Sequence, residues 1–283
     1  MNKFYLLQFY ALLKREILEH RNLFIGAPAV LGFLLFVAAV WAMSNLDAEA
    51  IAQLLEYAAN LFEGLSPTAM APLFMVASVP FIMMLYVCCL IYLANALYQD
   101  RKEQSVLFWQ SMPVSNFKTV LSKVVTVALV APVFYVGILF VIYVIGMLWL
   151  TILGLTYDVD LVGLGSMFAA VLTSLILVYL SAFTTAMWLL PSVGWLLLFS
   201  AFARKTPLLW ALGVYILVGF LEDFIFSTQY LGNWVDSRSN PSQYIIFSFE
   251  NVIDRLFNYD MLFGIFVGSI LIGGAILMRR FTD

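Results

Sequence analysis

The sequence predicts an all-α integral membrane protein with six transmembrane helices, an N-terminal interfacial helix and a short cytoplasmic helix between the second and third spans. The 283 residues are 64% apolar and only 11% charged, whereas soluble proteins carry about 25% charged residues. The mean hydropathy is +0.98, and windows without ionisable groups recur along the chain. These observations exclude a soluble enzyme, a disordered chain and a nucleic-acid-binding protein.

The charge-free windows locate the spans within a single transmembrane domain, residues 1–283. A span needs about 20 apolar residues. The predicted spans cover residues 23–45, 72–97, 124–150, 167–203, 206–226 and 261–278. The fourth is too long for one straight helix, and we expect it to be interrupted near Pro191. We count its two parts as one span because the part after Pro191 would be too short to cross the membrane by itself.

The charges predict the orientation of the chain. With the N-terminus in the cytoplasm, 12 of the 14 Lys and Arg residues fall on the inner side and 12 of the 17 acids fall outside. This is the distribution of the positive-inside rule. We therefore expect a multi-pass protein of the cytoplasmic (inner) membrane with both termini in the cytoplasm.

The N-terminal segment, residues 1–21, has apolar residues at helical spacing, such as Phe4, Leu7 and Leu18. This pattern predicts an amphipathic helix on the inner membrane surface. A cytoplasmic extension of the first span is the alternative. His20 is the only histidine, and we expect it to be interfacial rather than a ligand.

Two segments on the outer side have helical patterns as well. Ala48–Leu61 has one apolar face, and the longer outer segment, residues 222–260, contains a turn-rich stretch, Gly232–Pro241, followed by the amphipathic Ile245–Phe257. Such helices either cap an outward-facing cavity or provide ordinary surface cover. The residues alone do not separate these interpretations.

The inner segment 99–113 exposes apolar residues although it is too short to have a core of its own. Phe108 and Trp109 are the largest of these residues, with Leu107 and Met112 beside them. Aromatic groups of this kind are typical anchors of protein interfaces. One interpretation is a helix that projects anchors toward a soluble partner, and the other is a helix with its aromatic rings among lipid headgroups.

Several kinds of site are missing from the sequence. There is no phosphate-binding Gly-x-x-x-x-Gly-Lys-Ser/Thr motif and no cluster with metal-ligand spacing. We therefore expect no catalytic residue and no metal site. Apart from Glu222 and Asp223, which we expect at the membrane interface near the end of the fifth span, the predicted spans hold no ionisable residue. Ion-coupled carriers usually need such groups. Gly264 and Gly268 form a Gly-x-x-x-Gly pattern, which permits close helix packing.

The chain resembles the membrane subunits of ABC-2 type ABC transporters, the six-span exporter permeases. The resemblance covers essentially the whole chain and rests on four runs of sequence. They are Leu13-Lys14-Arg15-Glu16, the inner segment from Asp100 (DRKEQSVLFWQSMPVS), Leu121-Ser122-Lys123, and the end of span four from Trp195 (WLLLFSAFARK).

The resemblance implies that residues 99–113 form a coupling helix that docks into a separate cytoplasmic ATPase subunit. The docking residues would be Gln104, Ser105, Leu107, Phe108, Trp109, Met112 and Pro113. The working unit would contain two ATPase subunits and two permeases, the second being another copy of this chain or a close paralogue. ATP and Mg would bind only to the partner, so the chain itself would not be an enzyme and would bind no cofactor. The segment 222–260 would form re-entrant helices.

The function expected from this resemblance is ATP-driven export of an amphipathic substrate by alternating access. The alternative is a non-transporting membrane scaffold or assembly factor that recruits a soluble partner through residues 99–113. A membrane enzyme acting on lipid is disfavoured because no polar residues cluster into a site.

Overall fold

The computed structural model describes residues 3–102, 115–161, 163–240 and 244–281, and within these ranges the chain is helical and contains no strand. The helices, in chain order, are α1 (Lys3–Glu19), α2 (Ala27–Ser44), α3 (Ala48–Phe62), α4 (Pro67–Ala77), α5 (Val79–Lys102), α6 (Asn116–Val125), α7 (Ala131–Tyr157), α8 (Leu164–Trp188), α9 (Leu190–Phe202), α10 (Pro207–Phe226), α11 (Tyr230–Ser239), α12 (Phe249–Leu256) and α13 (Tyr259–Phe281). Short π-helical turns join α1 to α2 and α6 to α7.

Six helical stretches among the described residues are long and apolar enough to cross a membrane, which confirms the predicted all-α, multi-pass membrane architecture. They are Asn22–Ser44, Val79–Lys102, Asn116–Tyr157, Leu164–Trp188, Pro207–Phe226 and Tyr259–Arg279. The third stretch has 42 residues, about 63 Å at 1.5 Å per residue. It is therefore much longer than the predicted span 124–150.

Two of the long helical runs are broken, and each break has a local cause. The predicted span 72–97 lies across α4 and α5, which meet at Ser78. Pro80 follows in the first turn of α5, where it has no backbone N–H to donate to α4, and the Tyr143 hydroxyl donates to the Phe74 carbonyl over 2.6 Å. The run from 164 to 202 breaks at Leu189, where the backbone has φ −88° and ψ 10°. Pro191 follows in the first turn of α9, and proline at this position cannot continue the preceding helix.

The tightest contact between two helices joins α9 and α13, which run in the same direction. A Cβ atom added to Gly194 would lie 2.8 Å from the Gly268 carbonyl oxygen, and one added to Gly268 would lie 2.7 Å from the Leu190 carbonyl carbon. The glycines therefore let the two backbones approach closely.

The segment between α10 and α13 folds back along α8. Trp195 of α9 donates to the Ala211 carbonyl of α10 over 3.1 Å, so these two residues lie at the same height in the helix bundle. Phe226, at the end of α10, lies about 22 Å further along that helix. The chain then returns, because Arg238 donates to the Trp188 carbonyl over 2.7 Å. The described residues Arg238, Tyr244 and Ile246 thus lie against α8 rather than extending away from the helices.

Candidate functional site, a buried ion network

The most concentrated polar feature of the described residues is a group of ion pairs at one end of the helices, where α1, α5, α6 and α13 meet. We call it the ion network, and this end of the molecule the network end. The ion network consists of Arg15, Glu16 and Glu19 from α1, Asp100 from α5, Lys123 from α6 and Arg279 from α13. Such charges are expected at a helix end in water, but four of these six side chains are almost fully buried.

Lys123 occupies the centre of the ion network. Its ammonium lies 3.0 Å from Glu16 Oε1 and 3.3 Å from Asp100 Oδ2. Its side chain is 1% exposed, as is that of Glu16. The Tyr92 hydroxyl of α5 donates to Glu16 Oε2 over 2.6 Å, so both oxygens of this carboxylate are engaged. A buried charge is tolerated only when it is paired in this way.

Asp100 connects the remaining cations. Its carboxylate lies 3.5 Å from Arg15 Nη2 and 3.8 Å from Arg279 Nη2, in addition to its contact with Lys123. Arg15 also pairs with Glu19 one helical turn along α1. Since a single carboxylate contacts cations from three other helices, a displacement of the end of α5 changes the electrostatic environment of all of them.

The ion network is formally neutral, with three cations and three carboxylates. Burial, the largest influence on Glu16, opposes its ionisation. The charge of Lys123 and the hydrogen bonds from Tyr92 and Lys123 outweigh burial, and they place the Glu16 pKa below its ordinary value. We therefore treat the carboxylate as ionised and as the counter-charge of Lys123.

The ion network lies beside the segment from which the sequence predicts a contact with a partner. Asp100 is in the last turn of α5, directly before residues 103–114, and α6 begins directly after them at the capping residue Ser115. The predicted docking residues, Gln104, Ser105, Leu107, Phe108, Trp109, Met112 and Pro113, lie outside the described residues. Both helices that bracket this segment belong to the ion network.

Arg101 gives the same helix end a second attachment. Its Nη2 donates to the carbonyl oxygens of Ser200 and Ala203, each over 2.8 Å. These carbonyls belong to the last turn of α9, where no further intrahelical partner exists and a cation is favourable. Asp100 and Arg101 therefore connect the end of α5 to the ion network and to the end of α9, respectively.

The other residues singled out in the sequence have separate locations. His20 packs edge-on against Tyr92 at a ring distance of 4.8 Å, so its ring borders the ion network. Burial is the main reason why the His20 pKa lies below its ordinary value. Gly268 lies in the contact with α9, whereas Gly264 faces Arg238, whose guanidinium would overlap an added Cβ atom.

The spacing of residues around Lys123 indicates that this lysine is buried, but a search for charge-free windows does not detect it. Val120, Lys123, Val127 and Ala131 recur at intervals of three and four residues, and all four are buried. This spacing puts Lys123 on the buried face of the α6–α7 run. Because the predicted span began after Lys123, the charge counted only as an inner flank.

The chemistry open to these residues is limited. No group of three metal-binding side chains occurs among the described residues. The carboxylates of the ion network are separated by cations. The arrangement is suited to holding four helix ends in one relative position.

Comparison with known protein families, with curated proteins and with solved structures finds no match to this chain. The chain's own residues therefore have to support any functional conclusion.

Proposed function

We propose that this chain is the membrane-spanning permease subunit of an ATP-driven ABC exporter of the ABC-2 type. It would move an amphipathic substrate by alternating access, with ATP hydrolysed by a separate subunit. The observation that supports this proposal best is the ion network. It joins both helices that bracket residues 103–114 to α1 and α13, so a force applied to this segment reaches four helices.

The mechanism follows from these contacts. An ATPase that closes on ATP displaces residues 99–113, and Asp100 moves with them because it lies in the adjoining helix turn. Lys123, Arg15 and Arg279 follow Asp100, while Arg101 transmits the displacement to α9. The helices then shift between two packings, which requires the two ATPase states to make different contacts with the segment.

The proposed orientation places the network end in the cytoplasm of a cell with an inner membrane. The basic residues support this orientation: Arg101 and Lys102 directly follow Asp100, and Arg204 and Lys205 directly follow Ala203, whose carbonyl accepts a hydrogen bond from Arg101. The second permease is proposed to contact α10, the span least covered by the rest of the chain, since only 6% of its apolar stretch is buried. This span packs against α5.

The test is copurification after gentle detergent extraction from the native membrane. Wild-type protein is expected to retain an ATP-hydrolysing subunit in equal amount, and the Phe108→Ala, Trp109→Ala double variant is expected to lose it. The control is Phe257→Ala, Tyr259→Ala, an aromatic pair that is 78% and 89% exposed at the other end of α13. This control is expected to retain the subunit.

Two results would contradict the proposal. One is retention of the ATPase by both double variants alike. The other is a stoichiometric partner without ATP hydrolysis, which would favour the scaffold alternative.

A further inference from the structure

Helix α1 has two different faces. Leu12 and Glu16 are buried toward α6 and the ion network, whereas Leu7, Tyr10 and Leu18 on the opposite face are 58%, 66% and 59% exposed. Residues 7, 10, 14 and 18 follow helical spacing, so this face also contains the exposed Lys14. Arg21, which is exposed and lies two residues beyond the end of α1, continues the same spacing. We call this face, with Arg21, the outer face of α1.

The outer face of α1 has positive charge without an acid. The described part of α1 contains two acids, of which Glu16 is buried against Lys123 and Glu19 pairs with Arg15. Lys14 and Arg21 are therefore surrounded on this face by apolar side chains. A solvated helix face usually mixes charges of both signs, whereas apolar residues with interspersed cations are typical of helices in a lipid headgroup layer.

The position of the outer face indicates what covers it. Arg21 directly precedes Asn22, the first residue of the first membrane-spanning stretch. The exposed apolar surface continues into that stretch through Ile25, Val30 and Phe33. These residues contact lipid in a membrane. Since α1 directly precedes this membrane-spanning stretch, its outer face extends the lipid-contacting surface to the depth of the lipid headgroups.

We propose that the outer face of α1 binds anionic phospholipid headgroups through Lys14 and Arg21, with Leu7, Tyr10 and Leu18 among the upper acyl carbons. The opposite face of the same helix places Arg15 and Glu16 in the ion network. Anionic lipid bound at α1 therefore also holds these two side chains in position. This inference does not depend on transport or on an ATPase partner.

The experiment uses the full-length chain in nanodiscs of phosphatidylcholine with a minor fraction of spin-labelled phosphatidylglycerol. The relative association of the labelled lipid is compared between the wild type, Lys14→Gln, Arg21→Gln and a control, Arg204→Gln, Lys205→Gln. The control removes the same charge from exposed residues near the end of α9, which Arg101 joins to the network end of α5. All substitutions are on the surface, so folding should be unaffected.

The expected result is a loss of phosphatidylglycerol preference of about fivefold for each cation removed from α1, with less than a twofold loss in the control. An equal loss in both double variants would show a general effect of surface charge and overturn the proposal. An unchanged preference in Lys14→Gln, Arg21→Gln would overturn it as well.

A labelling experiment separates lipid from a protein partner. The two native cysteines are buried, so a Leu18→Cys variant gives a site-specific signal with a water-soluble maleimide. Protection of this thiol in nanodiscs without any partner is the expected result. A thiol that is fully reactive there, and protected only in a complex with a soluble protein, would identify α1 as a protein-docking surface instead.

Discussion

Replacing Lys123 by methionine removes the central cation of the ion network while keeping the length of an unbranched side chain. Two carboxylates, at 3.0 and 3.3 Å, then lose their nearest counter-charge. At an effective dielectric constant of about 20, each of these contacts corresponds to an attraction of roughly 5 kcal/mol. The desolvation of Lys123 offsets much of this attraction, so we expect a net loss of about 3–5 kcal/mol in the free energy of unfolding.

The assay is reversible unfolding of the purified protein in mixed micelles, followed by helical circular dichroism. Lys14→Met is the matched control, because Lys14 is exposed on the neighbouring helix α1; it should change stability by less than about 0.5 kcal/mol. A double variant, Lys123→Met with Glu16→Gln, should be more stable than Lys123→Met alone because it leaves one uncompensated carboxylate fewer. The reasoning is refuted if Lys123→Met costs no more than Lys14→Met.

Three further predictions concern the surroundings of the ion network. The His20 pKa lies below its ordinary value of 6.5, so protonation favours the unfolded chain. The melting temperature should therefore fall as the pH drops below about 6.5. The His20→Gln variant should lack this part of the pH dependence. Arg101→Ala should lower the free energy of unfolding by about 1.5–3 kcal/mol because two hydrogen bonds to carbonyl oxygens are lost. Lys102→Ala, at the next residue, should leave the free energy of unfolding nearly unchanged. Equal effects of the two substitutions would contradict the attachment of α5 to α9. Gly268→Ala should cost about 1–3 kcal/mol in the same unfolding assay because an added Cβ overlaps α9, whereas Gly273→Ala, with nothing within 4 Å of its Cβ, should be neutral or stabilising.

The fold was predictable because its main determinant is local. Each membrane-spanning helix needs a continuous apolar stretch, and such stretches are visible one at a time in the sequence. Both breaks are marked by prolines, Pro191 after Leu189 and Pro80 after Ser78, but the hydrogen bonds that Tyr143 makes at the second junction come from a residue distant in the chain. A window of residues cannot show such a contact.

The ion network could not be predicted for the same reason. Glu16 and Lys123 are 107 positions apart in the chain, and each alone has the properties of an ordinary charge at the end of a span. Only the fold shows that they share one buried site with Asp100. The pattern around Lys123 predicts a buried face, but not which carboxylates lie opposite.

The central claim is that a separate ATP-hydrolysing subunit drives this chain through residues 99–113. The most direct measurement places a photo-crosslinking amino acid at Trp109 in the full-length chain in native membranes, with the same group at Tyr57 in α3, 69% exposed, as the control. The account predicts a crosslink from position 109, but not from position 57, to a protein that binds ATP, and a change in crosslinking yield when ATP is added. A crosslink from position 109 to lipid alone, or reactivity of this position from the extracytoplasmic side, would contradict the claim.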